Sequence, residues 1–193
     1  SSSNRYGLSE QFWDSLSDNN RQLYDVIRPL RRNVYAVNQR IITIEQTLSD
    51  LNEDARKMGG VLDLNPDFQR GHVWNQEKQI AFMEAVVRGT APMNIRFNCA
   101  NWNHDAPDAQ SDDFNINDIV CVDGLQRLTA MRDFAADKFT IFNGYSMKDL
   151  ENTPFSFTRM GMTWTMEMFN ISSRTDLLQF YLDINRGGVV HSV

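Results

Sequence analysis

Apolar residues recur at helical spacing along several stretches of this chain, and shorter alternating or wholly apolar runs fall between them. Residues 8–28 carry Phe12, Trp13, Leu16, Leu23, Val26 and Ile27 in a loose helical pattern, with Ser9 placed to cap and Leu8 to staple. The polar run 17–20 divides this stretch, and Pro29 ends it. Residues 33–40 alternate as a strand does. Thr43-Ile44-Glu45-Gln46 has the form of a capping box and predicts a helix to about residue 56, with Ile44, Leu48 and Leu51 inward and Gly59 and Gly60 after it. A short strand is expected at 61–64 and a loop at 66–74. Asn75 then caps a helix with Ile80, Met83 and Val87 on its inner face, closed by Gly89.

Strands are predicted at 94–98 and 119–122, the second wholly apolar and therefore buried. The polar segment 99–117 between them reads as a mobile loop. A helix is expected at 125–136 and a further strand at 138–142. Phe155, Phe157, Met160, Met162 and Trp164 nearly alternate, which suggests a strand or ribbon. Asp176 or a nearby serine caps a last helix bearing Leu177, Leu178, Tyr181 and Ile184, which stops at Asn185-Arg186-Gly187-Gly188. Strands and helices mixed in this order predict one α+β domain. The chain ends abruptly after His191-Ser192-Val193, as a piece of a longer protein would.

The bulk composition narrows the function. The 193 residues are 41% hydrophobic and 11% aromatic, enough for one core, and no apolar run reaches the ~18 residues of a membrane span. The first residues lack the apolar stretch of a secretory signal. Cys99 and Cys121 form neither a CxxC pair nor a metal-ligand cluster, and a cytoplasmic setting is expected. A net charge of -6 speaks against a sequence-independent grip on nucleic acid. Arg28, Arg31, Arg32 and Arg40 lie close enough in sequence to form a local basic patch, or simply a solvated surface.

Three segments carry candidate chemistry. In Ile119-Val120-Cys121-Val122-Asp123-Gly124-Leu125-Gln126-Arg127, a buried strand turns directly into a helix. The first amides of such a helix lack internal partners, and its dipole favours an anion. Gly124 allows a positive φ or the close approach of a ligand. Arg127, in the first turn, can hold phosphate oxygens with its planar fork. Gln126 can donate to phosphate or position a water, and Asp123 can hold Mg²⁺, orient Arg127 or accept a proton. The simpler alternative is that Asp123 caps the helix and Arg127 pairs with a surface carboxylate. In the loop 66–74, Arg70 and His72 stand between Phe68 and Trp74, as in the wall of a base or phosphate pocket, or as in a packed loop. Asn185 and Arg186 precede two glycines, as at an ordinary helix end.

Taken together and in this order, the segments PDFQRGHVW at 66–74, DGLQRLTA at 123–130 and YLDINRGG at 181–188 resemble the DGQQR-motif domain at the N-terminus of GmrSD-type modification-dependent restriction enzymes. Similar domains occur in SspE-type phosphorothioate-sensing defence proteins, and the family is related to the ParB/sulfiredoxin-like fold, which implies a small mixed sheet flanked by helices. The resemblance spans residues 33–193 and leaves 1–32 as an N-terminal helical extension. It implies binding and hydrolysis of a nucleoside triphosphate with Mg²⁺. Asp123, Gly124, Gln126 and Arg127 match its hallmark, Arg70 matches the upstream arginine, and Asn185 with Arg186 match the downstream motif. Asp123, Gln126 and Arg127 would be catalytic, with Asp123 the Mg²⁺ ligand. Arg70, Gly124, Arg127, Asn185 and Arg186 would bind phosphate, and His72 and Trp74 would line the pocket. Leu125 stands where the hallmark has its first glutamine; if that glutamine positions water or metal, binding would survive here while hydrolysis is weak or absent.

Three functions therefore compete: an NTPase or NTP-dependent switch, a DNA-binding or DNA-nicking component, and a non-catalytic interaction module. The three histidines, His72, His104 and His191, show no His-Asn-His cluster or zinc-ligand spacing. Cleavage of DNA would thus need a separate nuclease or effector chain, a further C-terminal segment, or chemistry of another kind.

Overall fold

The computed structural model describes residues 6–30, 35–69, 73–102 and 115–188. Two short helices come first, α1 (Glu10–Ser15) and α2 (Asp18–Ile27). Ser9 and Ser17 cap them through their hydroxyls, and the break falls between, as the polar run predicts. Tyr6, Trp13 and Tyr24 pack their rings together, and the Tyr6 hydroxyl donates to Asp25. Neither helix has a buried residue, and Leu23, Val26 and Ile27 are exposed.

A five-stranded sheet follows, built from β1 (Tyr35–Arg40), β2 (Leu62–Asp63), β3 (Asn94–Asn98), β4 (Ile119–Asp123) and β5 (Thr163–Phe169), in the order β1-β5-β3-β4-β2. It is mixed: β1/β5 and β3/β4 are antiparallel, while β5/β3 and β4/β2 are parallel. This is the α+β architecture that the order of elements predicts.

Alternation gives the sheet two faces. Ile95, Phe97, Ile119, Cys121, Trp164, Met166 and Met168 turn one way, into the main core, with α3 (Ile44–Met58), α4 (Gln76–Arg88) and α5 (Leu125–Ala135). On the other face a smaller apolar cluster gathers Val122, Phe169, Ile171 and Leu177, joined by Phe68, Phe180 and Tyr181. The last two residues belong to α7 (Arg174–Gly188), which follows a one-turn helix, α6 (Met147–Leu150). Helices thus cover the sheet on both sides. Leu30 joins the second cluster, and Arg28 of the predicted basic patch is bonded to Asp176.

Several expectations meet the structure directly. Asn75 caps α4, Gly59 and Gly89 close α3 and α4 in the left-handed conformation, and Ile44, Leu48 and Leu51 are buried. Gly60 is fixed by space, because a Cβ there would lie 2.2 Å from the Asn117 carbonyl oxygen. Others are corrected. The Thr43 capping box does not form: the chain enters α3 through a 3-10 turn (Ile41–Thr43), and the Thr43 hydroxyl donates back to the Arg40 carbonyl. The strand expected at 138–142 is instead a tight turn closed by an Ile141–Tyr145 bridge, with Asp137, Phe142 and Asn143 at positive φ. Phe139 and Ile141 are buried as the alternation suggests, yet no neighbouring strand pairs with them. The apolar alternation at 155–164 reaches a strand only at its end, since β5 begins at Thr163. Residues 103–114 of the loop read as mobile lie outside the described residues.

Candidate functional site

The end of β4 and the start of α5 form the focus of the second face. Gly124 is the N-cap of α5 at φ 99, where a side chain would be strained. A Cβ there would also meet Ile95 Cδ1 at 2.6 Å, so the glycine is required by conformation and packing alike. Having no side chain, it caps none of the first-turn amides of α5, which face the end of β4 without an intrahelical partner.

Around this helix start stand two guanidiniums and two carboxylates. The register shifts between Arg96 and Phe97: Asp123 faces Arg96 and Cys121 faces Phe97, leaving Val122 as the extra residue of a bulge. The bulge sets Asp123 opposite Arg96, whose Nη1 donates to Asp123 Oδ2 at 2.6 Å. Arg96 Nε lies 3.5 Å from Glu167 Oε2, its parallel-strand neighbour on β5. Glu167 is buried and also accepts from the Asn94 side-chain amide. Arg127 reaches back from α5, donating through Nη2 to the Asn94 carbonyl at 2.7 Å, with Asp123 Oδ2 at 3.4 Å. Its Nε–H is buried and has no hydrogen-bond partner among the described residues. Buried donors are rarely left so, and an anionic oxygen would satisfy it.

The three sequence segments converge here. Gln126 Oε1 accepts from the backbone N–H of Trp74 at 2.9 Å, which moors the 66–74 loop to the helix start. The Phe68 ring meets Tyr181 of α7 edge-on, with centroids 5.0 Å apart. Burial first, and then the nearby Asp123 carboxylate, hold the Tyr181 phenol above its ordinary pKa. Pairwise contacts therefore link residue 74 to 126, 68 to 181 and 181 to 123.

Of the residues singled out from the sequence, Asp123, Gly124, Gln126 and Arg127 come together. The Trp74 indole packs on Phe82 at the core side, and only its backbone meets the site. Asn185 and Arg186 are exposed on the last turn of α7, where the Asn185 amide donates to the Tyr181 carbonyl. Arg70 and His72 lie outside the described residues. Arg96, Glu167 and Asn94 complete the cluster and carry no motif. Their signal is faint: one charged residue within each of two strands, which alternation places on one face.

Among the described residues, no group of three or more His, Cys, Asp or Glu side chains could hold a metal ion. Asp123 Oδ2 serves both guanidiniums, whereas its Oδ1 has no hydrogen-bond or ion-pair partner among them. That leaves one carboxylate oxygen, a donor set that fits Mg²⁺ only when phosphate oxygens complete it. No described helix is long and apolar enough to cross a membrane.

The family model described as "GmrSD restriction endonuclease, N-terminal domain" matches residues 44–185. No curated protein and no solved structure matches the chain.

Proposed function

Because the chain belongs to the family of GmrSD restriction endonuclease N-terminal domains, we propose that it binds a nucleoside triphosphate at the start of α5 and senses or hydrolyses it in DNA restriction or defence. The observation that carries this reading is the meeting of three separate sequence segments around uncapped helix amides and the unpartnered Nε–H of Arg127. Amides at a helix start favour an anion, and a guanidinium beside them adds charge-assisted bonds to its oxygens. Asp123 fixes the orientation of the arginines around it, and its free Oδ1 would hold Mg²⁺ together with the phosphates. When bound, Mg²⁺ would neutralise phosphate charge.

Calorimetric titration of the protein with ATP, GTP, CTP and UTP, with and without Mg²⁺, tests the reading. At least one triphosphate should bind, and an Arg127→Gln protein that still melts cooperatively should bind it at least tenfold more weakly, about 1.4 kcal/mol. Unchanged affinity in that variant would refute the assignment. A second reading, binding without turnover, is favoured by two observations. Leu125 replaces the glutamine of the hallmark, and the Gln126 carbonyl oxygen is already engaged by the Trp74 amide. Phosphate release in the same samples separates the two: binding without release assigns a switch or interaction module.

A further inference from the structure

Resting on the triphosphate reading above, we propose that Arg96 is a phosphate-binding residue of the same site and that Glu167 is its positioning residue. No motif marks either of them. The two guanidiniums of the cluster are held differently. Arg127 is the more enclosed, with 19% of its side chain exposed, and its Nη2 is committed to a backbone carbonyl. Arg96 is 30% exposed and bonded only to carboxylates. Its Nη1 meets Asp123, its Nε lies at the long distance of 3.5 Å from Glu167, and its Nη2 has no partner among the described residues. The one amino group left open, Nη2, can donate to a phosphate oxygen through a charge-assisted bond.

Its location agrees. The bulge after Arg96 sets it directly opposite Asp123, the residue before the N-cap of α5. Arg96 thus adds a positive charge beside the helix start, where the dipole already favours an anion. Glu167 holds the other flank. Being buried and fixed by the Asn94 amide, it can set the direction of Arg96 without reaching solvent itself. The cluster carries two positive and two negative side chains. An added phosphate therefore competes with carboxylates for Arg96, and an incoming Mg²⁺ at Asp123 would ease that competition.

The test is a ladder of mono-, di- and triphosphates of the base that wild-type protein prefers, titrated with Mg²⁺ into wild type, Arg96→Gln, Glu167→Gln and the double variant. The double variant removes one cation and one anion together, which guards against failure of the single variant to fold. Arg96→Gln should weaken triphosphate binding about 10- to 100-fold, as loss of a charged hydrogen-bond donor does. It should affect the monophosphate less, so that the ladder flattens. Glu167→Gln should weaken the triphosphate alone by a smaller factor and add nothing in the Arg96→Gln background, the pattern of coupled residues. The proposal is overturned if Arg96→Gln binds triphosphate within threefold of wild type, or if every rung weakens equally, which marks a structural role. If Arg127→Gln loses binding while Arg96→Gln retains it, the triphosphate reading stands and this inference alone falls. If wild type binds no triphosphate, both fall.

Discussion

Cys99, just past the end of β3, shows how one side chain reports on its surroundings. Its thiol is fully buried, and that burial pushes its pKa up to about 11 from an ordinary 9.0, helped by the nearby Asp118 carboxylate. The folded protein therefore keeps the thiol proton more tightly than the unfolded chain does. The corresponding stability is complete below pH 9 and is lost as the pH rises through 11. Native protein at pH 8 should resist thiol alkylation at this position, and its urea midpoint should fall between pH 9 and 11. The Tyr181 phenol shifts in the same direction, so comparison with Cys99→Ala isolates the thiol. A variant that declines as steeply as wild type would remove Cys99 from the account.

Among the elements, the ends of β3 and β5 are joined by a side chain acting as backbone. Asn98 is buried, donates to the Ile171 carbonyl at 3.0 Å and accepts from the Ile171 amide at 2.8 Å. It extends the pairing of the two strands past the end of the ladder. Asn98→Leu would leave two buried backbone groups without partners, a loss of about 2–5 kcal/mol. Chemical denaturation checks it, and a loss under ~1 kcal/mol would mean that water replaces the amide. Elements with a local signature were legible in the sequence: Ser9 and Asn75 cap helices as read, and 94–98 is the strand expected. The turn at 138–145 was not, because alternation reports burial and not the presence of a neighbouring strand. The site was half legible for a similar reason. Asp123 to Arg127 are contiguous and announce themselves, whereas Arg96 meets Glu167 across 71 residues through strand order and meets Asp123 through a bulge. Neither of those is written locally.

For the whole molecule, stability is distributed unevenly. The sheet is covered on both faces, whereas α1 and α2 have no buried residue and are held by their own three rings, Leu30 and the Arg28–Asp176 pair. Amides of residues 10–27 should exchange with deuterium orders of magnitude faster than those of β3 and β5. Mass spectrometry of peptides from the two regions measures this, and equal protection would show that the extension folds as one unit with the sheet.

The two ends of the sheet are also unequal. β2 offers a pairing edge of only two residues, while β1 has six and pairs with β5 alone among the described strands. Strand addition needs a row of free amides and carbonyls, and among the described residues such a row of any length lies at the β1 border. If copies ever join through their sheets, the first encounter uses up the β1 rim of each. The assembly then halts at a pair, because among the described residues the opposite end offers a strand of only two residues to extend a fibre.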